Sequence, residues 1–533
     1  MRTLKIFFIL FILATTQIFV SCTEDWLDEE HESRLTVDAI YNTPEGISNA
    51  AVGLYYLNRQ LLRMGSNNWS QMYAGLIRGT DIEVSREGPL GSAAYAYYRP
   101  QEINTYRYHQ TFWDMYYGII GKANEIIYHG VNMKSDDDRV IRAIAEARYF
   151  RAFSYLFLYE RFENIYLNTE PITPDNIDDE RVYLPSTMEE IFEVINNDLD
   201  LAIENLDITP IGEPGRITKG AARHVRMIAA MWQEDWDEAI LQGEAMEESG
   251  IYELMPLDQL FGQADYSSDH TEAITTWQYF EGLGGADYAG QWGYSGHRLK
   301  ALFLPEYERR NGGEYTEVNG GFGLAWLYPN EYLLSLYDQE TDNRYSTFYR
   351  HEYYFTNAEA AAEAGLEVGD VIPKVGAVED DFRFLHTGLR KYEDLTTYPI
   401  TDSKGFSDVM QFRYAQTCIH MAEAYLKDGN MAKALEWYNK TWTRAGNPKR
   451  EQPVTMDDIR DEHARELGLE GHRWTYLKRI GESQSQITQF AGEEPYNIEA
   501  RTNWQPHHVR WPIPQEQLQI FGENYPQNEG YPR

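Results

Sequence analysis

The sequence predicts a mainly α protein: a scaffold of tetratricopeptide-like helix pairs interrupted by an irregular, loop-rich ligand-binding lobe. Three observations carry this prediction. First, Gln233-Glu234-Asp235-Trp236-Asp237-Glu238-Ala239-Ile240 and Asp428-Gly429-Asn430-Met431-Ala432-Lys433-Ala434-Leu435 share one pattern, a tight polar turn that opens a helix with a small Ala on its packing face. Second, each follows an Ala-rich amphipathic helix, Ala221 to Trp232 and Phe412 to Lys427. Small residues let paired helices approach closely, and stacked pairs bury one continuous core. Third, between the two segments Gly282, Gly284, Gly285, Gly290, Gly293 and Gly296 interrupt a run of tyrosines and tryptophans, which reads as loops and short strands.

The elements follow in order. Arg2 and Lys5 precede an apolar run from Ile6 to Val20, then Ser21-Cys22. That run is about 15 residues, short of the roughly 20 needed to span a bilayer, so residues 1–21 read as a lipoprotein signal peptide and Cys22 as the acylated residue. Phe19 departs from the Leu usual in such signals. Residues 22–42 form an acidic tether through Glu24, Asp25, Asp28, Glu29 and Glu30. Residues 43–250 make the first part of the scaffold. Ala50 to Leu62 and Phe112 to Tyr128 are helix candidates, and Asp138 to Arg161 is apolar nearly all round, the mark of an interior helix. Ser186-Thr187-Met188-Glu189 reads as a capping box opening a helix with Ile191, Ile195, Leu199 and Ala202 on one stripe. Up to four helix pairs are expected. Residues 251–405 are the loop-rich insertion, 406–480 the second part of the scaffold, and 481–533 an irregular C-terminal segment packing on it.

Composition bounds the function. The chain has 47 Lys+Arg against 84 Asp+Glu, a net charge of −37. That excess disfavours nucleic acid and anionic membrane surfaces, both of which need basic patches. No apolar stretch beyond the first approaches a membrane span, so contact with a membrane is expected only through the lipid anchor. With Cys22 acylated, Cys418 has no disulfide partner and a large core must supply the stability. No G-x-S-x-G elbow, P-loop or EF-hand pattern occurs. His463, Glu466, Glu470 and His472 offer metal-type ligands, but their spacing is not that of H-E-x-x-H, and structural packing in a charged-pair network is the expectation. No catalytic residue, cofactor or metal is expected.

Several segments together resemble the SusD/RagB family, the nutrient-binding surface lipoproteins of Bacteroidota. Gly215-Arg216-Ile217-Thr218-Lys219-Gly220-Ala221-Ala222, Glu146-Ala147-Arg148-Tyr149-Phe150-Arg151-Ala152 and Phe412-Arg413-Tyr414-Ala415 are similar to its scaffold entries. Glu466-Leu467, Glu470-Gly471-His472-Arg473-Trp474 and Leu477-Lys478-Arg479 resemble its C-terminal signature, and Pro512-Ile513-Pro514 with Gln527-Asn528-Glu529-Gly530-Tyr531 its closing motif. His463, Tyr476 and Glu529 depart from the family's usual Arg, Asp and Pro. The resemblance implies a non-enzymatic glycan- or nutrient-binding protein exposed on the outer membrane. It also implies a SusC-like TonB-dependent transporter as partner, to which an oligosaccharide is delivered. Two rival readings are a helical glycoside hydrolase and a tetratricopeptide scaffold that binds only protein or peptide.

Binding a sugar without turnover needs flat aromatic faces for its CH groups and polar groups for its hydroxyls. Tyr outnumbers Phe by 40 to 22, and 13 Trp are present, which suits aromatics wet at one end. Two clusters are candidates: Trp69, Tyr73, Arg78, Asp81 and Tyr97 after the first helix, and Trp277, Tyr279, Trp292, Tyr294 and Trp326 in the insertion.

Overall fold

The computed structural model describes residues 40–62, 71–86, 96–99, 107–173, 176–179, 181–209, 215–262, 265–266, 270–280, 296–376 and 378–533. The signal peptide, Cys22 and most of the tether lie outside these residues.

Eight helices form the pairs the sequence predicts: α1 (Pro44–Asn58), α2 (Arg107–Met133), α3 (Asp138–Phe162), α4 (Met188–Asn205), α5 (Lys219–Trp232), α6 (Trp236–Glu248), α7 (Tyr414–Asp428) and α8 (Met431–Arg444). Each packs on its neighbours in sequence. The exception is α6, which packs on α7 across the whole insertion, so the scaffold continues as though residues 249–413 were looped out. Two further helices, α9 (Met456–Leu467) and α10 (Arg473–Arg479), complete it, with α9 against α7. Helix α3 is the centre: Ala147, Phe150, Ala152, Tyr155 and Leu158 are fully buried on different faces, so it has no wet side.

The two matching turns are built alike. Asp235 and Asn430 cap α6 and α8 by accepting the amides of Glu238 and Lys433. The residue before each cap is left-handed, Glu234 at φ 56° and Gly429 at φ 90°. Glycine takes that conformation without a Cβ penalty, whereas Glu234 pays it. Ala239 and Ala434 are fully buried, as the spacing requires.

Several boundaries differ from the sequence reading: α2 runs from Arg107 to Met133, beyond the expected Phe112 to Tyr128 at both ends. The box at the start of α4 is made by Thr187 and Glu190, one residue later, each side chain bonding the other's backbone amide. Helix α1 begins at Pro44, because Thr43 caps it and a proline suits the first turn. Phe412 and Arg413 are extended, not helical: they end strand β6 (Val409–Arg413), which pairs antiparallel with β2 (Ala273–Trp277). The extended backbone of Arg413 carries its guanidinium into a buried carboxylate cluster that a helical start would miss.

Apart from β2 and β6, the described residues of the insertion hold little regular sheet. β1 (Glu83–Ser85) pairs with β3 (Leu327–Pro329), and β4 (Tyr349–Arg350) with β5 (Gly388–Leu389). A buried charge network joins the insertion to the scaffold, beside apolar side chains such as Trp277, Phe303 and Tyr392 that share the scaffold's core. Arg413 donates to Glu272 at 2.8 Å, to Glu466 at 2.6 Å and, in a fork, to both oxygens of Glu470 at 2.8 Å. Arg344 grips Asp342, Glu462 and Glu466, and Lys391 reaches Glu470 at 2.6 Å. Arg444 bridges Glu272 and Glu466, and Arg465 bonds Glu462. Five cations thus meet Glu272, Asp342, Glu462, Glu466 and Glu470 in the interior, where buried charges persist only when paired and hydrogen-bonded. The tempting acidic and histidine residues of the C-terminal motif are consumed by this packing. His463 stacks on Tyr476 at 3.9 Å, and His472 on Phe412 at 5.6 Å. Among the described residues no group of three or more His, Cys, Asp or Glu is placed to hold a metal ion.

The C-terminal segment returns to α3. Trp511 donates its amide to the Arg161 carbonyl at 2.7 Å, and the Asn528 amide bridges the carbonyls of Phe162 and Trp511. These contacts satisfy orphan carbonyls at the end of α3.

Candidate functional site

The candidate site is assembled around the C-terminal end of α1. A short 3-10 turn, Arg59–Leu62, follows that helix, and β2 runs out beside it into Gln278, Tyr279 and Phe280. Arg59 joins the two. Its guanidinium donates to the Gln278 carbonyl at 3.0 Å and lies over the rings of Tyr279 at 5.4 Å and Tyr56 at 5.7 Å. Tyr279 answers with its hydroxyl to the Arg59 carbonyl at 3.3 Å. Its ring meets His297 edge-on at 5.0 Å. Both ends of segment 281–295 are therefore in contact, and one of them is stitched to the residues that precede segment 63–70. On the far side of that segment, Tyr73 meets Trp277 edge-on at 6.0 Å. Gly215, left-handed at φ 82°, packs so closely on Gln278 that a Cβ there would sit 2.2 Å from its side chain. Three chain segments thus share one root. Phe280 projects from it with 68% of its surface exposed.

Asp408 anchors this root from below, accepting the amides of Tyr279 at 2.9 Å and Tyr266 at 3.2 Å. Burial pushes its carboxyl up to about 7, with nearby Asp265 adding to the rise and the two amides opposing it. A carboxyl raised in the fold binds more protons folded than unfolded between about 3.8 and about 7, so its contribution to stability is present at low pH and is lost as pH rises through that window. Relative to Asp408→Asn, which does not titrate, the protein should lose up to about 1.4 kcal/mol per pH unit from about pH 4 to about pH 7, then level off. Urea midpoints of both proteins across pH 4 to 8 check this. A difference that stays constant with pH contradicts it.

The sequence-derived candidates fall into three groups. Trp69, Trp292 and Tyr294 lie outside the described residues, as does the lipidation residue Cys22. Tyr279 is at the root, half-buried, as an organiser. The remaining six are buried, each keeping 5% or less of its surface exposed, and each makes a contact within the protein. Tyr73 shares a 2.6 Å hydrogen bond with the Tyr392 hydroxyl, and Asp81 takes a two-pronged bond from Arg473 at 2.7 and 2.9 Å. Arg78 is buried where its charge acts on Glu83. Tyr97 donates to the Ser85 carbonyl at 3.2 Å under the guanidinium of Arg99. Trp277 belongs to β2, and the Trp326 carbonyl accepts from the Arg86 amide. Aromatic and charged residues in loop-like text are here the fasteners of the loops. Sequence reading passed over Arg59, Tyr56 and the exposed Phe280. A Tyr-x-x-Arg step at the end of an amphipathic helix, just before a Trp-bearing segment, was the available signal.

Comparison with known proteins places this geometry. Residues 258–531 match the family model described as the SusD family. Residues 25–223 match a SusD-like model described as starch-binding associating with outer membrane. A SusD-like protein of Bacteroides ovatus is 23% identical over 502 residues, covering 87% of this chain and 81% of its own. SusD-like protein P25 of Formosa agariphila is 23% identical over 549 residues, covering 96% and 97%. Among solved structures, a SusD homolog from Bacteroides thetaiotaomicron aligns with TM-score 0.72 at 19% identity over 94% of this chain and 100% of its own. A laminarin binding SusD-like protein aligns with TM-score 0.69 at 22% identity over 91% and 99%, and surface glycan-binding protein A from Bacteroides uniformis with TM-score 0.69 at 19% identity over 91% and 99%. The motifs, the looped-out insertion and a family match across more than half of its length agree: the chain belongs to the SusD family.

Proposed function

We propose that this protein is a cell-surface lipoprotein that binds an oligosaccharide without cleaving it and delivers it to a SusC-like TonB-dependent transporter in the outer membrane. The observation that carries the binding half is the shared root at Arg59, Gln278 and Tyr279. Trp69 stands two residues before Gln71, and Trp292 four before Gly296, so in sequence both adjoin residues at or beside this root. Loops fixed on a rigid scaffold are where binding residues concentrate. Trp69, Trp292, Tyr294 and the exposed Phe280 supply aromatic faces, and Arg59 supplies hydrogen-bond donors.

Support for a glycan comes from relatives: one solved structure of this fold is named for laminarin binding and another for surface glycan binding. The outer-membrane setting is supported by the description of the family model over residues 25–223 and by the signal peptide expected over residues 1–21, just before Cys22. The net charge of −37 suits a neutral ligand.

Isothermal titration against a panel of plant, host and microbial oligosaccharides tests the reading. Saturable binding of at least one neutral glycan is expected, in the micromolar to millimolar range, tightening with chain length and leaving the glycan intact by chromatography. Shortened products would favour a hydrolase, and no binding across the panel would favour a protein-binding scaffold.

A further inference from the structure

The scaffold holds a partly open pocket beneath the root of the site. Its walls come from α2, α3, α5, β6, α7, α9 and α10, with Leu61, Tyr73 and Trp277 contributed from the root region. It offers about 70 Å³ to the centres of water-sized molecules. Much of the wall is apolar, but five lining residues, each 5% exposed or less, bring polar atoms that have no protein partner: Tyr116 Oη, Trp277 Nε1, His420 Nδ1, both ring nitrogens of His463, and Tyr476 Oη. Native interiors satisfy nearly all such groups, and leaving one unpaired forfeits its full hydration.

The chemistry of these atoms selects the occupant. An indole N–H only donates, a phenolic hydroxyl donates and accepts, and a neutral imidazole does one of each at its two nitrogens. Burial, reinforced by nearby cations such as Arg473 and Arg479, holds His463 and His420 well below the ordinary histidine range, so both rings are neutral. The charged groups in the wall are already paired, Glu470 with Arg413 and Lys391, Arg479 with Glu423, and Glu160 with Arg161. An anion would find no free cation among these five residues, and a metal ion no carboxylate. A neutral molecule that both donates and accepts fits.

We propose that this cavity is a built hydration site, holding a cluster of about five ordered water molecules that bridge Tyr116, Trp277, His420, His463 and Tyr476, at roughly 10–15 Å³ of centre space for each water. The cluster joins β2, which carries Trp277 to the root of the site, to α10 of the C-terminal motif, and it acts as part of the scaffold rather than as bulk solvent. This inference does not depend on which ligand the surface binds.

A high-resolution crystal structure of the protein, with the cavity left empty in refinement, and a second crystal pressurised with xenon form the test. Discrete water peaks within 2.7–3.2 Å of most of the five side chains, with no xenon bound, are expected. A dry cavity that takes xenon, or continuous density for an organic guest, overturns the proposal. Tyr476→Phe provides a second readout of opposite sign. In a hydrated site the variant loses a water peak and melts at a lower temperature. In a dry site it sheds an unpaired hydroxyl, and an unchanged or higher melting temperature counts against the proposal.

Discussion

Replacing Arg413 with alanine is expected to cost at least about 3–5 kcal/mol of stability, the range for removing one partner of a buried ion pair. Arg413 is 1% exposed and serves Glu272, Glu466 and Glu470 together. Burial alone would raise the Glu470 carboxyl, but Arg413 first and Lys391 second outweigh it and hold the group at about 2. Glu466 is likewise held well below the carboxylate range against its own burial, by Arg444, Arg413 and Arg344. Without Arg413, the pairing that offsets three desolvation penalties is weakened at once. Arg413→Lys should recover only part of the loss, because an ammonium keeps the charge but cannot supply the guanidinium's fork to Glu470. Urea denaturation of both variants measures this. A loss below about 1 kcal/mol for the alanine variant, the scale of a surface pair, would mean that the network does not hold the insertion to the scaffold.

Replacing both Trp69 and Trp292 with alanine is the second large effect. Buried tryptophans are typical binding hot spots, and losing two stacking faces should cost about 2–4 kcal/mol, roughly 30- to 700-fold in affinity. The thermal midpoint of the double variant serves as the control for folding. Phe280→Ala, at the exposed edge of the root, should cost less than the double change. Unaltered glycan binding by the Trp69 and Trp292 double variant would sink the assignment of the site.

The scaffold was legible because its signals are periodic and local. The Asp235 and Asn430 turns, the all-apolar face of α3 and the Ala239 and Ala434 spacing each depend only on residues a few positions apart. The site was legible only as a region. The spacing that makes Trp277 look like a platform also describes a strand that buries its tryptophan, and the difference lies in β6, more than a hundred residues away. Asp81 looked like a polar member of the ligand cluster with Trp69, Tyr73 and Arg78, but its partner is Arg473, far along the chain. Arg59 was passed over because its role comes from contacts with Gln278 and Tyr279, about 220 residues away, to which the local Tyr-x-x-Arg step is only a hint. The boundary at Arg413 failed for the same reason: the carboxylates that pull it into extended backbone come from residues 272, 466 and 470.

Two aromatic-bearing segments that share one root should respond to ligand as one site. Hydrogen–deuterium exchange of the whole protein, with and without the best-binding oligosaccharide of the panel, tests that directly. Peptides covering residues 63–70 and 281–295 are expected to gain protection together, at the same glycan concentration, with little change in α4 to α6. Protection confined to one of the two segments, or centred elsewhere on the scaffold, would contradict a single glycan site rooted at Arg59 and Tyr279.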